Sequence, residues 1–512
     1  MTAELRRLPL PETQDLSVSM WVDEAIWGHR LHDEQSPWLV FLEFLNVFVH
    51  EEDRGRALDE SDGLNTLAYA AAHRLPLRNI LFNNPFLIEA KRSAGDDSTK
   101  WERWRKRMAA AAKATPNQSF EYLKPHFHSF DHFCEVVSLV RSSSIEGNSN
   151  KRWTSKFVFP YGRDCLYEDL DAAAGTNDRR FFGRTGELLY LMLCRSTRKT
   201  ELLLALRRVI PGRSSQMNSI VRCLQPDKDD DVGSKRTQAF LPYGAHPCFD
   251  ELAADWIAVL GLCIPDFDVY PHLVTLSGLH VLLYQLTLAR QSSGLSAQPL
   301  IVCEVVAPRK TLVREVAAEG YQANNVLPAR AVDAYISDIE GSPEWLQSVG
   351  DSGAIEKCRR ILRERAKWDD KYEGSDDPCV LMSTFRRAAM TRHRQHVANV
   401  HSNYGKAIGL ISKRGTVRLR YAPTDELLRT LVFANVGRRM ELHEFLKRLH
   451  VRYGFIFGDR EAEKALRKDE FDKKAFQSNS TRLEERLSAL GLLRRLSDGC
   501  AYVINPYSAV TE

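Results

Sequence analysis

The sequence predicts a mainly α, multidomain protein with a small α/β element around 299–340 and a C-terminal winged helix. Three observations carry that prediction. With 512 residues, the chain is long enough for several domains of about 100–200 residues, each with a core of its own. Apolar residues recur at helical spacing along most of it, whereas a single short stretch, LIVCEVV at 300–306, is β-branched and bounded by prolines like a buried strand. From Thr424 onward the order reads helix, helix, helix, strand, turn, strand, which is that of a winged helix. Four regions follow: 1–150, helical, aromatic-rich and acidic; 151–350, mainly helical with the short strand; 351–423, a basic helical and strand connector; and 424–512, the winged helix.

In the first region Trp21, Trp27, Trp38, Phe41, Phe44, Leu45 and Phe48 fall at helical spacing, with Ser36-Pro37 as cap and first-turn proline. The three tryptophans read either as core or as an exposed partner-binding surface, since Trp is enriched at interface hot spots. STKWERWRKRMAAAAKA (98–114) predicts a helix with a solvated basic face, and polar 142–153 ends the region as a loop. Residues 179–210 give two amphipathic helices separated by a basic turn at 195–199. Residues 226–237 are a surface loop whose Asp227, Asp229, Asp230 and Asp231 lack the order of a calcium loop. The longest uncharged apolar stretch, 273–289, falls short of the roughly 20 residues that cross a bilayer, so a buried helix is expected. Beyond the strand, 312–320 and 329–339 are helices, 342–353 is a break, and 354–368 is a charged helix.

At the C-terminus Thr424 caps a helix bearing Leu427, Leu428, Leu431 and Val432. A second helix over 440–453 turns Leu442, Phe445, Leu446 and Leu449 inward, and charged 459–478 is expected to be irregular. The capping box Thr481-x-x-Glu484 opens a third helix on Leu483, Leu487 and Leu490. Segments 492–496 and 500–504 then flank the hairpin signal Ser497-Asp498-Gly499. The exposed Arg482, Glu484, Glu485, Arg486 and Ser488 of the third helix sum to zero charge, so base reading and protein docking both stay open.

Net charge is +4, but residues 1–62 carry 14 acidic against 5 basic side chains. Between Cys379 and Thr424 there is no acid at all, against nine basic residues: Arg386, Arg387, Arg392, Arg394, Lys406, Lys413, Arg414, Arg418 and Arg420. Uncompensated positive charge of this kind attracts a phosphate backbone, and in RGTVRLRY a strand would point Arg418 and Arg420 the same way. These nine, with Arg482, Arg486, Arg494 and Arg495 of the winged helix, are the candidate contacts to a DNA duplex. The competing reading is a surface for an acidic partner, including the acidic N-terminus of the same chain.

Signatures of catalysis are missing. Gly405-Lys406-Ala407 lacks the upstream glycine and hydroxyl of a P-loop, and neither G-x-G-x-x-G after a strand, G-x-S-x-G nor H-x-K occurs. His126, His128, His132 and Cys134 are metal-capable but have no second pair at finger spacing. Glu304, with Asp266, Asp268 and Lys310, loosely evokes a metal nuclease, but Val306 stands where the lysine belongs. No catalytic residue, metal or cofactor is assigned. Ten cysteines without C-x-x-C read as reduced thiols, and the start shows no secretory signal of the usual form, so a cytoplasmic location with no membrane contact is expected.

WVDEAIWGHRLHDEQSPWLVFLEFLNV, FFGRTGELLYLML and LSDGCAYVINPY together resemble proteins of bacterial antiphage defence islands, specifically the non-enzymatic accessory component of methylation-associated defence systems. The resemblance implies a cytoplasmic bacterial protein acting beside a DNA methyltransferase and nuclease or helicase partners, and it transfers no catalytic residue. The expected function is that of a DNA-binding adaptor or targeting subunit of a multi-protein antiviral complex. A metal-dependent nuclease and a purely protein-docking scaffold are the alternatives.

Overall fold

Ser36 sets the first long helix, because its hydroxyl accepts the Leu39 N–H while Pro37 supplies a pre-set first turn. The computed structural model describes residues 7–12, 18–60, 67, 69–112, 119–146, 155–168, 183–210, 215–227, 239–296, 298–306, 311–368, 372–413, 418–497 and 500–508. Among them helix accounts for 62% and strand for 7%, so the sheets act as clips between helices.

The first layer contains α1 (Val22–Trp27), α2 (Pro37–Asp53), α3 (Leu75–Phe82), α4 (Phe86–Arg92), α5 (Asp97–Ala111) and α6 (Phe130–Ser142), closed by a two-residue antiparallel ladder of β1 (Ile145–Glu146) and β2 (Lys156–Phe157). Trp101 and Trp104 of α5 lock against Phe130 and Phe133 of α6 at ring separations of 4.9–6.2 Å, while the basic face of α5 stays in solvent as expected. Trp21 and Trp27 are both 0% exposed. Trp27 Nε1 donates to the Gln285 carbonyl, and Trp38 packs on Phe41 and Phe159. The partner-binding reading of Trp21 and Trp27 is thereby corrected, because their surface is spent inside the fold, whereas Trp38 is half-buried.

The middle follows as α7 (Thr185–Cys194), α8 (Lys199–Val209), α9 (Gln216–Arg222), α10 (Pro247–Leu260) and α11 (Asp266–Ser292). Every residue of α7 is buried, so it is a core helix where an amphipathic one was expected. α11 is long and apolar enough to cross a membrane, yet 83% of its most apolar window is buried inside the fold, as in the core helix expected at 273–289. The aspartates at 229–231 lie outside the described residues.

β3 (Ile301–Val302) is all that pairs of the expected strand; α12 (Leu312–Asn325) and α13 (Leu327–Glu340) follow it. The expected break at 342–353 instead contains α14 (Pro343–Val349), capped by Ser342 Oγ on the Trp345 N–H, before α15 (Ala354–Ala366). The basic connector folds as α16 (Pro378–His396), α17 (Val400–Ala407), β4 (Ile411–Ser412) and β5 (Arg420–Tyr421). The C-terminal part comprises α18 (Asp425–Asn435), β6 (Arg439–Glu441), α19 (Leu442–Tyr453), β7 (Phe455–Ile456), α20 (Asp459–Ala465), α21 (Lys473–Ala489), β8 (Leu493–Ser497) and β9 (Cys500–Ile504), with β6, β9 and β8 forming one antiparallel sheet in that order.

The core is continuous across the boundaries expected at 150, 350 and 423, with one buried apolar cluster running from Met20 to Val503. β3 pairs in parallel with β7, its register placing Ile301 opposite Phe455. Asp255 of α10 takes His280 Nε2 at 2.7 Å, the Tyr453 hydroxyl at 2.8 Å and the Arg452 guanidinium at 2.6 Å, tying α19 to the body through a fully buried carboxylate.

Three buried histidines give the fold a pH signature. Burial pushes His32 down to about 3, with Arg30 adding to the effect, pushes His401 to about 3, and pushes His246 to about 4. They stay neutral in the fold but bind protons near the usual value of about 6.5 when unfolded, so the unfolded chain gains protons first as pH falls. Stability is therefore full above about pH 6.5 and drops below it, by about 2 kcal/mol per histidine at pH 5. Thermal unfolding is expected to show a midpoint that falls from neutral pH to about pH 5, less steeply in His401→Gln; a midpoint that rises over this range would mean the imidazoles are charged in the fold.

Candidate nucleic-acid interface

The helix after the charged segment starts earlier than its capping box suggests. Asp472 Oδ1 accepts the Ala475 N–H at 2.7 Å and opens α21 at Lys473, so Thr481 lies inside the helix with its hydroxyl on the Gln477 carbonyl. The early start is concealed in the sequence because one inward position is polar. Asn479 is fully buried among Phe476, Leu483 and Leu487, accepting the Val305 N–H at 2.8 Å and donating to the Cys303 and Phe457 carbonyls. One amide thus satisfies three backbone groups beside β3 and β7, where an apolar residue would leave them bare. The supposedly irregular 459–478 also holds α20, and β6 before α19 was not anticipated.

With nine more residues at its start, α21 presents Lys473, Lys474, Gln477, Ser478, Thr481, Glu485 and Ser488 to solvent. Both lysines make no ion pair among the described residues. Gln477 Nε2 donates to Asp459 at 3.0 Å, and half-buried Arg482 donates to the Ser478 hydroxyl at 2.9 Å. Arg486 instead pairs with Asp425 at the start of α18. On β8, Arg494 and Arg495 are exposed, and Arg495 reaches Glu484 at 3.0 Å. A cleft of about 470 Å³ runs between α19, α20, α21 and the hairpin, bordered by His443, Gln477, Thr481, Glu484 and Arg495. The turn residues 498–499 lie outside the described residues.

The basic stretch 379–424 fares differently, because much of its charge is answered inside the chain. Arg386 pairs with Asp333 and, at 2.6 Å, with Glu340. Arg392 lies against Asp23 at 2.9 Å and Glu24 at 2.5 Å, and His393 Nδ1 is 2.7 Å from Asp23. Burial pushes both carboxyls up; at Asp23 the His393 imidazole and Arg392 outweigh it and hold the group below its usual range, whereas at Glu24 burial prevails over Arg392. The acidic N-terminus is therefore the partner of this part of α16. Arg420 is 1% exposed and pairs with Glu304, whose other oxygen takes Arg314 at 2.8 Å. Arg418 is exposed, so the two arginines do not share a face, and a phosphate contact by Arg420 is corrected. Arg387, Arg394, Lys406, Lys413 and Arg418 remain exposed without an acidic partner among the described residues, and Arg414 lies outside them.

The same pairs remove the nuclease geometry. Glu304 is sealed between two guanidinium groups at the end of β3, while Asp266 and Asp268 stand exposed at the start of α11; Lys310 lies outside the described residues. No group of three or more metal-capable side chains forms among the described residues. His126, His128 and His132 are exposed, and burial pushes the Cys134 thiol up to about 12.

Removing one partner of a buried, doubly paired carboxylate leaves charge uncompensated, at about 3–5 kcal/mol. Glu304→Ala is expected to lower stability in urea unfolding by that amount, and Arg418→Ala to stay within about 0.5 kcal/mol of the parent; equal effects would contradict the assignment of one arginine to the core and the other to solvent. No family model, no curated protein and no solved structure matches this chain.

Proposed function

We propose that the chain is a duplex-DNA-binding subunit whose residues 424–512 form a winged helix, with α21 as the helix that enters the major groove and β8–β9 as the wing. The order α18, β6, α19, α21, β8, β9, with the three-stranded sheet β6-β9-β8 and α20 inserted before the third helix, supports this reading. The observation that carries it is the first half of α21, which offers Lys473, Lys474, Gln477, Ser478 and Thr481 on one solvent face. In such modules the start of the third helix meets base edges, and lysines and wing arginines meet phosphates. Leu496, 60% exposed on β8, favours the second reading, docking of a protein on the same module. The wider role, a cytoplasmic adaptor that targets a methyltransferase or nuclease of a bacterial defence complex to DNA, rests on the sequence resemblance.

Fluorescence anisotropy of the full chain with a DNA duplex, between about 50 and 200 mM salt, tests the proposal, because phosphate contacts make affinity fall steeply over that range. The triple variant Lys473→Glu, Lys474→Glu, Arg494→Glu should lose more than about tenfold in affinity and flatten the salt slope by roughly one per phosphate contact removed. Arg394→Glu, Lys406→Glu, Lys413→Glu should cost less. The reverse ranking would place the interface on α16–β4, and no salt-dependent binding by the parent would leave the protein-docking reading.

A further inference from the structure

We infer that the cavity between α10, α11 and the end of α19 is a binding site for a phenolic molecule of two or three rings, whose hydroxyl donates to Nδ1 of His280. The cavity holds about 1050 Å³, at the upper end of the range of about 300–1,000 Å³ common for small-molecule sites. Its rim is exposed at Gln291 and Val451, whereas its inner wall is core: His280, Leu283 and Tyr453 are 3%, 6% and 1% exposed. A molecule that enters at the rim therefore ends against buried side chains.

The polar group on that inner wall is His280. α11 is apolar and mostly buried, yet His280, Leu283, Thr287 and Gln291 recur along one of its faces and line the cavity. His280 Nε2 lies 2.7 Å from Asp255 Oδ2, which also accepts the Tyr453 hydroxyl. A carboxylate beside the Arg452 guanidinium only accepts, so in the neutral ring Nε2 carries the proton and Nδ1 presents a lone pair. Nδ1 has no hydrogen-bond partner among the described residues. Asp255 holds the ring in place, so the imidazole cannot turn to another partner without giving up that bond. A buried acceptor calls for a donor, and here the cavity is where one can stand.

The rest of the wall sets the class of the donor. Its charged groups are engaged: Glu251 takes Arg452 at 2.5 Å, and Arg7 donates to the Tyr243 and Ser292 hydroxyls and lies over the Tyr335 ring, so the occupant need bring no charge. Tyr243, Tyr453, Pro247 and Pro299 present flat apolar faces, against which an aromatic ring packs well. A phenolic hydroxyl is more acidic than an alkyl one and bonds an imidazole lone pair more strongly. Ring and donor together describe a phenol. The inference does not depend on the DNA reading, because the cavity lies on α10 and α11 and the proposed DNA surface on α21 and the hairpin.

Isothermal titration calorimetry of the full chain with 2-naphthol tests it. Saturable binding to one site is expected, and 2-methoxynaphthalene, which has the same ring system but no donor, should bind about tenfold more weakly because it leaves the buried acceptor unpaired. Val451 is 64% exposed on the rim, so Val451→Trp should keep the thermal midpoint of the parent while filling the mouth and weakening 2-naphthol by more than about tenfold. His280→Phe leaves Asp255 with Tyr453 and Arg452 and should bind the two compounds equally; if that variant does not fold, the two compounds on the parent and the Val451→Trp result decide. No saturable binding of 2-naphthol, equal affinity of the parent for its methyl ether, binding unchanged in Val451→Trp, or a preference for the hydroxyl retained in folded His280→Phe would each overturn the inference.

Discussion

The pairing of Asp23 and Glu24 with Arg392 and His393 is the constraint on which the rest of the molecule depends. It joins residues some 370 positions apart in the chain, from its most acidic segment to its most basic one. Further bonds follow the same seam: the Trp21 N–H to the Ala366 carbonyl at 2.6 Å, the Asp33 N–H to the His396 carbonyl at 2.8 Å, and the Asn403 amide to the Asp33 carbonyl at 3.0 Å. Two charges taken out of water are stable only when they are paired and hydrogen-bonded, so the N-terminal segment and α16 have to fold together. An excess of one sign that looks like a nucleic-acid surface in the sequence is thereby used in part for internal adhesion.

The same economy of buried polar groups fastens the C-terminal part. Glu304 between Arg314 and Arg420, Asp255 with His280, Arg452 and Tyr453, and Asn479 with three backbone groups each satisfy partners from different regions of the sequence. A half-satisfied network of this kind is worse than an apolar core, which makes these contacts specific as well as adhesive. The solvent face of α21 is left uncommitted, because its anchoring is done by Phe476, Asn479, Leu483 and Leu487 on the other side.

Much of the helical architecture was legible, since periodic apolar residues and short polar caps act locally. Ser36, Thr424 and the hairpin of β8 and β9 stand where their signals place them. What stayed hidden depends on distant partners. Nothing local marks Arg420 as core and Arg418 as surface, because the difference is Glu304, 116 residues away. The partner of β3 is β7, from beyond the basic connector, so only two residues of LIVCEVV pair as strand. The start of α21 was missed because Asn479 breaks the apolar period, and with it went Lys473 and Lys474, the two charges that change the balance of the helix from zero to positive. The cavity at His280 was not foreseen, for it exists only once the end of α19 lies against α10 and α11.

The central claim is that DNA is met by α21 and the hairpin, with α16 serving mainly as a structural partner of the N-terminus. Hydrogen exchange of the full chain with and without a DNA duplex reads this directly, because amides covered by a ligand exchange more slowly. The account predicts slowed exchange over 473–482 and 493–504, with 378–396 unchanged. Protection confined to 378–407, or no protection anywhere, would contradict it.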